Sequence, residues 1–209
     1  MASAIIHLAV AKTLEQYLNI ENPRDYYLGS IAPDISKQIG ENKQQSHFLI
    51  NARDDIPNIE LFTNKYPNFK DNSFNLGYFI HLYTDKVWFS RFISQICAGN
   101  YIKLLDGTVI NTTPEEMQKI VYQDYTNLNV KLLDEYKMDL SLFYEDFIKP
   151  DTELDEIPTD KLNILIDKMG LIIENSKEEK PYTFDTFLVL DFIDKVSQEI
   201  LNILKIEIN

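Results

Sequence analysis

The chain has 209 residues, room for one large domain or two small ones with a substantial buried core, which excludes a miniprotein held together by crosslinks. Its 44% hydrophobic and 25% charged content, with 6 Gly and 8 Pro, is that of an ordinary globular protein, neither collagen-like nor disordered. Thirty-three acidic against 20 basic residues give a formal charge of −13, so bulk binding to a nucleic-acid backbone is not expected.

Apolar spacing is mostly helical, and the first helix is expected over about 2–20. Its apolar start, Ala4 to Ala11, has no preceding Lys or Arg and is interrupted by His7, so it is read as that helix and not as an export signal. Asn22 as cap and Pro23 at the first helical position predict a short helix over 23–30, followed by a polar, loop-like stretch to 56. A helix at about 57–66 and a long one from about Ser73, read as its cap, to Ala98 come next, the latter stopped by Gly99 and Asn100. Asp106-Gly107 marks a turn within 101–112, read as a loop in preference to a short hairpin. Thr113-Pro114-Glu115-Glu116 joins a Thr cap, Pro at the first position and Glu three residues after the cap, which predicts a firm helix start. Helical spacing runs from there to about Tyr144, with a break near Met138-Asp139. Two more helices, about 159–175 and 183–206, follow the acidic linker 149–158.

Charge divides the chain. Residues 1–111 hold 11 acids and 10 bases, whereas 112–209 hold 22 acids and 10 bases. A single all-helical domain over 1–209 is expected, with a charge-balanced half (1–111) and an acidic helical half (112–209). No apolar stretch approaches the roughly 20 residues that span a bilayer. The single cysteine, Cys97, allows no internal disulfide, and a cytoplasmic location is expected.

All three histidines, His7, His47 and His81, lie in the balanced half. His81 and Asp85 are four apart on the long helix, so they project from one face and can grip a single ion or pair with each other. Gly77 lies one turn earlier on that stripe, leaving space beside the His81 ring or allowing a close helix crossing. His7 sits in an apolar helix, where its ring must be hydrogen-bonded or ligated. His47, followed by Phe48, Leu49 and Ile50, is a buried ring in need of a partner, and Asp34 follows Pro33 after the second helix. Cys97 has no histidine near it in sequence, which argues against a thiol nucleophile, and no His-Asp dipeptide occurs.

As a set, His7-Leu8-Ala9-Val10-Ala11, Tyr27-Leu28-Gly29-Ser30-Ile31-Ala32-Pro33-Asp34-Ile35, Ser46-His47-Phe48 and Leu76-Gly77-Tyr78-Phe79-Ile80-His81-Leu82-Tyr83-Thr84-Asp85 resemble the zinc-dependent phospholipase C family over roughly residues 1–90. The resemblance implies the all-helical fold shared by that family and single-strand nucleases, in one multi-helix bundle. It implies that Asp34, His47, His81 and Asp85 surround one zinc ion, with Asp85 bridging towards a second held by His7, and that Asp34 can serve as catalytic base. The later histidines of the family's third ion and its N-terminal tryptophan have no counterpart, and His7 can instead share Asp85 with a free amine at Met1 or Ala2, or simply hydrogen-bond to the neighbouring ligands. Two imidazoles and two carboxylates suit zinc or another transition metal and offset its charge.

The function expected is metal-dependent hydrolysis of phosphoric esters, acting on a small phosphoester or a phospholipid headgroup with one or two divalent ions. Trp88, seven residues after His81, is a candidate for the substrate pocket wall. A non-catalytic helical binding or scaffold protein retaining a structural metal site is the alternative.

Overall fold

The computed structural model describes residues 2–144, 146–177 and 179–205. Among them are eight α-helices: α1 Ala4–Glu15, α2 Pro23–Gly29, α3 Ile35–Gln38, α4 Ile59–Lys65, α5 Ser73–Val87, α6 Pro114–Glu135, α7 Leu162–Glu174 and α8 Thr186–Leu204. Caps set several starts as the sequence predicts. The Asn22 side chain accepts from Asp25 N ahead of α2, and Thr113 and Glu116 close a reciprocal capping box ahead of α6. For α5 the cap is Asn72, whose Oδ1 accepts from Asn75 N, one residue earlier than expected.

Several expectations need correction. The stretch to 56 read as a loop opens with α3, and α6 ends at Glu135, short of Tyr144. The long helix does not reach Ala98. It ends at Val87, widens into a π-helical turn over Trp88–Phe92 and tightens into a 3-10 turn over Ile93–Gln95. The apolar residues Trp88, Phe92 and Ile93 keep a helix-like spacing through this change of pitch, which is why the spacing concealed it.

The fold is also not purely helical. Cys97–Ala98, Tyr101–Lys103 and Val109–Asn111 form a small antiparallel sheet, β1 to β3, in chain order. Its registers pair Ala98 with Tyr101 and Ile102 with Ile110. Gly99 turns the first hairpin and Gly107 the second, both at left-handed φ (59° and 87°), where a glycine carries no steric penalty. The buried Ile102 between exposed neighbours is the alternation of a half-buried strand, too short to stand out in the sequence.

One hydrophobic cluster runs through both charge halves, from Ile5 and Leu8 on α1 to Ile193 and Ile200 on α8. Helix α1 packs on α5, α6 and α8, while α3 packs on α7. No helix among the described residues is long and apolar enough to cross a membrane.

The α2/α5 crossing positions the site. A Cβ on Gly77 would lie 2.1 Å from the Tyr26 carbonyl oxygen, and one on Gly29 would lie 2.1 Å from that of Phe74. Paired glycines thus bring two backbones into direct contact, so close helix crossing, not space beside the His81 ring, accounts for Gly77. Asp124 on α6 performs a second long-range task. This buried carboxylate accepts from the N–H groups of Tyr182, Thr183 and Phe184 and from the Thr183 hydroxyl, tying that segment to α6.

Candidate metal centre

The structure brings His7, Asp34, His47, His81 and Asp85 together in the interior. His7 comes from α1, Asp34 from the 3-10 turn Ala32–Asp34, His47 from the loop after α3, and His81 and Asp85 from successive turns of α5. All five are buried, with Asp34 the most accessible at 7%.

The two rings on the α5 side are aimed from behind. His81 Nδ1 lies 2.9 Å from the Ser30 carbonyl, which can only accept, so Nδ1 carries the proton and Nε2 presents a lone pair. His47 Nδ1 lies 2.9 Å from Ser46 Oγ, which is also 3.3 Å from the Lys43 carbonyl. With the hydroxyl proton given to that carbonyl or to Ser36 Oγ, 3.0 Å away, Ser46 Oγ accepts from His47 Nδ1, and in that tautomer His47 Nε2 presents the second lone pair. The two Nε2 atoms face each other at 3.3 Å. Two facing lone pairs repel unless a cation or proton lies between them.

The loop that carries His47 is held by its neighbours. Phe48 adopts a left-handed backbone (φ 52°), uncommon for a bulky side chain, while its ring meets Phe62 edge-on at a centroid distance of 5.3 Å. The Tyr78 hydroxyl donates to the Ser46 carbonyl at 2.5 Å.

Carboxylate oxygens complete the cluster. Asp85 Oδ2 stands 3.7 Å from His47 Nε2 and 3.8 Å from His81 Nε2, and Asp34 Oδ1 stands 3.5 Å from His47 Nε2. Ligands about 2.0–2.2 Å from a tetrahedral zinc are separated by roughly 3.3–3.6 Å, so these spacings are close to those of a zinc site. Asp85 Oδ1, by contrast, accepts from Ala2 N at 2.9 Å and lies 3.3 Å from His7 Nε2. The His7 and His81 rings stack with centroids 3.7 Å apart. Of the two positions named for a free amine, Ala2 contributes a backbone amide N–H to Asp85, while Met1 lies outside the described residues.

A fit test is available in the buried polar atoms. His7 Nδ1 and Nε2, Asp34 Oδ1 and Asp85 Oδ2 are all buried without a hydrogen-bond partner. Buried polar atoms are rarely left unpaired, and four in one cluster of metal-ligating types fit a bound cation. Two triads, His7–Asp34–His81 and His47–His81–Asp85, each have ligand atoms within 4.8 Å of one another. The electrostatics agree. Burial and the neighbouring His7 push His81 down to about 3, so its ring is neutral. Burial alone would raise the carboxyls of Asp34 and Asp85, but the interaction with His47 for Asp34, the positive charge of the amino terminus for Asp85, and the surrounding imidazoles for both hold them below the usual carboxylate range. Two carboxylates held in the ionised form and a neutral His81 leave a site whose charge a divalent ion balances.

A cleft of about 460 Å³ meets this cluster at Asp34, the one member of the five that lines it. Its walls come from both halves of the chain: Lys37 beside Asp34, Tyr122, Tyr125 and Asn129 on α6, and Leu165 and Lys168 on α7. Trp88 is not in that wall. Its ring is fully buried in an aromatic cluster with Phe92, Phe184 and Phe192, so the structure places it in the core. The α6 and α7 residues have no local motif that could have marked them, because they reach the cleft only through packing across the chain.

Compared with known proteins, residues 4–88 match the family model described as zinc dependent phospholipase C, a span that holds all five clustered residues. No curated protein and no solved structure matches the chain.

Proposed function

Residues 4–88 belonging to the zinc dependent phospholipase C family, we propose that the protein is a metal-dependent hydrolase of phosphoric esters whose ion or ions are held by His7, Asp34, His47, His81 and Asp85. The observation that carries this reading is the convergence of two imidazole lone pairs and unpaired Asp85 and Asp34 oxygens at the inner end of a cleft. When bound, zinc supplies Lewis acidity that lets water act as a nucleophile at neutral pH and steadies charge on phosphoryl oxygens.

The chain's own residues supply the rest. Ser30 and Ser46 fix the tautomers and orientations of His81 and His47, as backing hydrogen bonds do for ligating imidazoles. Asp34, ionised and in contact with both cluster and cleft, accepts the proton that the attacking water gives up. The water oxygen bonds to phosphorus, the ester P–O bond breaks, and the departing alkoxide leaves as an alcohol after taking a proton. Tyr125 and Asn129 border the space an ester would occupy.

Metal content measured on wild-type protein and on His81→Ala, together with turnover of bis(p-nitrophenyl) phosphate, tests the reading. One or two equivalents of zinc, lost in the variant along with turnover, are expected. Turnover that persists after complete metal removal overturns it, and full zinc loading without turnover of any ester supports a structural metal site instead.

A further inference from the structure

The cleft has a charge and polarity pattern that the metal cluster does not explain. Of its charged lining residues, Asp34 belongs to the cluster, leaving Lys37 and Lys168. Both are exposed, and among the described residues neither forms an ion pair, although the chain carries 33 acids. Lys37 sits three residues after Asp34, and its Nζ donates to the Tyr122 hydroxyl at 2.5 Å while lying 4.8 Å from that ring's centroid, so it is steadied at the cleft. Lys168 shares a face of α7 with Leu165 and Ile172, at i−3 and i+4. One wall of the cleft therefore presents apolar side chains with an ammonium among them.

Two further features point to a ligand. Asn129 is 2% exposed, and its buried Oδ1 has no hydrogen-bond partner, so a buried amide in the wall is left for whatever fills the cleft. Leu171, also in the lining, is 47% exposed and apolar. The volume lies within the range that encloses a drug-sized molecule.

Resting on the hydrolase reading above, we propose that the cleft selects an amphiphilic phosphodiester bearing a second anionic group. Its apolar part lies against Leu165, Leu171 and Ile172, its extra negative charge is read by Lys37 and Lys168, and a hydroxyl or amide group pairs with Asn129. On hydrolysis the P–O bond to the apolar alcohol breaks, and the second anionic group stays with the phosphoryl product. A quaternary ammonium headgroup is disfavoured, because it would face two ammonium groups that have no ion-pair partner among the described residues.

The test compares two short-chain diacyl glycerophospholipids, one with a choline and one with an inositol-phosphate headgroup, on zinc-reconstituted protein. The anionic headgroup is expected to be hydrolysed with kcat/KM roughly tenfold above choline at low salt, a ratio typical of two exposed charge pairs and one that shrinks as salt is added. In Lys37→Gln/Lys168→Gln the preference collapses towards one through KM, while zinc content stays as in wild type. Both positions are exposed, so the variant is expected to fold. Binding of two hydrolysis-resistant alkylphosphonates carrying the same two headgroups reads the cleft without turnover.

Tighter binding of the anionic analogue, lost in the double variant, supports the assignment even where no ester is cleaved, an outcome that removes only the hydrolase reading. Hydrolysis with choline equal or preferred, or a preference that survives the double substitution, overturns the assignment and leaves the hydrolase reading intact. A carboxylated headgroup, phosphatidylserine, run as a third arm separates recognition of phosphate from recognition of negative charge in general.

Discussion

Replacing Gly77 by alanine sets two effects of opposite sign against each other. In a helix interior, alanine is favoured over glycine by about 1 kcal/mol. Against that, the new Cβ would lie 2.1 Å from the Tyr26 carbonyl oxygen and 2.9 Å from Ser30 N, both backbone atoms that no rotamer change can clear. Reaching an ordinary contact requires α2 and α5 to part by about 1 Å, and overpacking of this kind costs about 1–3 kcal/mol or more. The steric effect wins, with a net loss of about 2 kcal/mol. For a chain of this size that lowers Tm by roughly 4–8 °C. The displacement also pulls the Ser30 carbonyl from His81 Nδ1, now at 2.9 Å, so zinc affinity falls about 10- to 100-fold. Calorimetry on metal-free protein and zinc titration against a competing chelator measure the two losses separately. Gly170→Ala is the control. Its Cβ would meet only the Tyr144 hydroxyl, at 3.7 Å, and the propensity gain of up to about 1 kcal/mol should appear undiminished. A Gly77→Ala protein that melts no lower than wild type and binds zinc as tightly would refute the reasoning.

Asp124→Ala leaves three backbone N–H groups and the Thr183 hydroxyl without their acceptor, so a loss of about 3 kcal/mol is expected. Thermal denaturation should show Tm lower by roughly 6–12 °C, and an unchanged Tm contradicts the clamp. Ser46→Ala removes the hydroxyl 2.9 Å from His47 Nδ1, and zinc affinity should fall about 10- to 100-fold with little change in Tm, as read by chelator competition. In metal-free protein, His81 titrates at about 3 when folded and near 6.5 when unfolded, so the unfolded chain binds more protons between those values. Stability is therefore complete above pH 6.5 and declines as the pH falls towards 3. The lowered carboxyls of Asp34 and Asp85 extend the decline in the same direction, and a urea midpoint that stays flat or rises from pH 6.5 to 4 counts against it.

Local chemistry made the helix starts and the His81–Asp85 pair legible. Asn22-Pro23 and the Thr113–Glu116 box act within one turn, so their geometry follows from neighbours in sequence. His81 and Asp85 are linked by helical spacing alone, whereas His7, Asp34 and His47 became partners only through the family resemblance. The sheet was missed because its strands are two or three residues long, with one fully buried side chain, Ile102. Lys37, Asn129 and Lys168 were missed for a different reason. Each is unremarkable on its own helix, and what joins them is the packing of α3 and α6 against α7.

The left-handed Phe48 imposes an order of assembly. Holding a bulky residue in that conformation costs about 1–2 kcal/mol, offset here by packing of its ring on Phe62, Tyr66 and Tyr78. Those rings belong to α4, the residue after it, and α5, so the turn has no reason to close until both helices have met. The position of His47 is thus set by packing of the core around Phe48. In a small zinc finger the metal creates the fold; here packing alone shapes the loop that carries His47, and an ion would enter a pocket already formed.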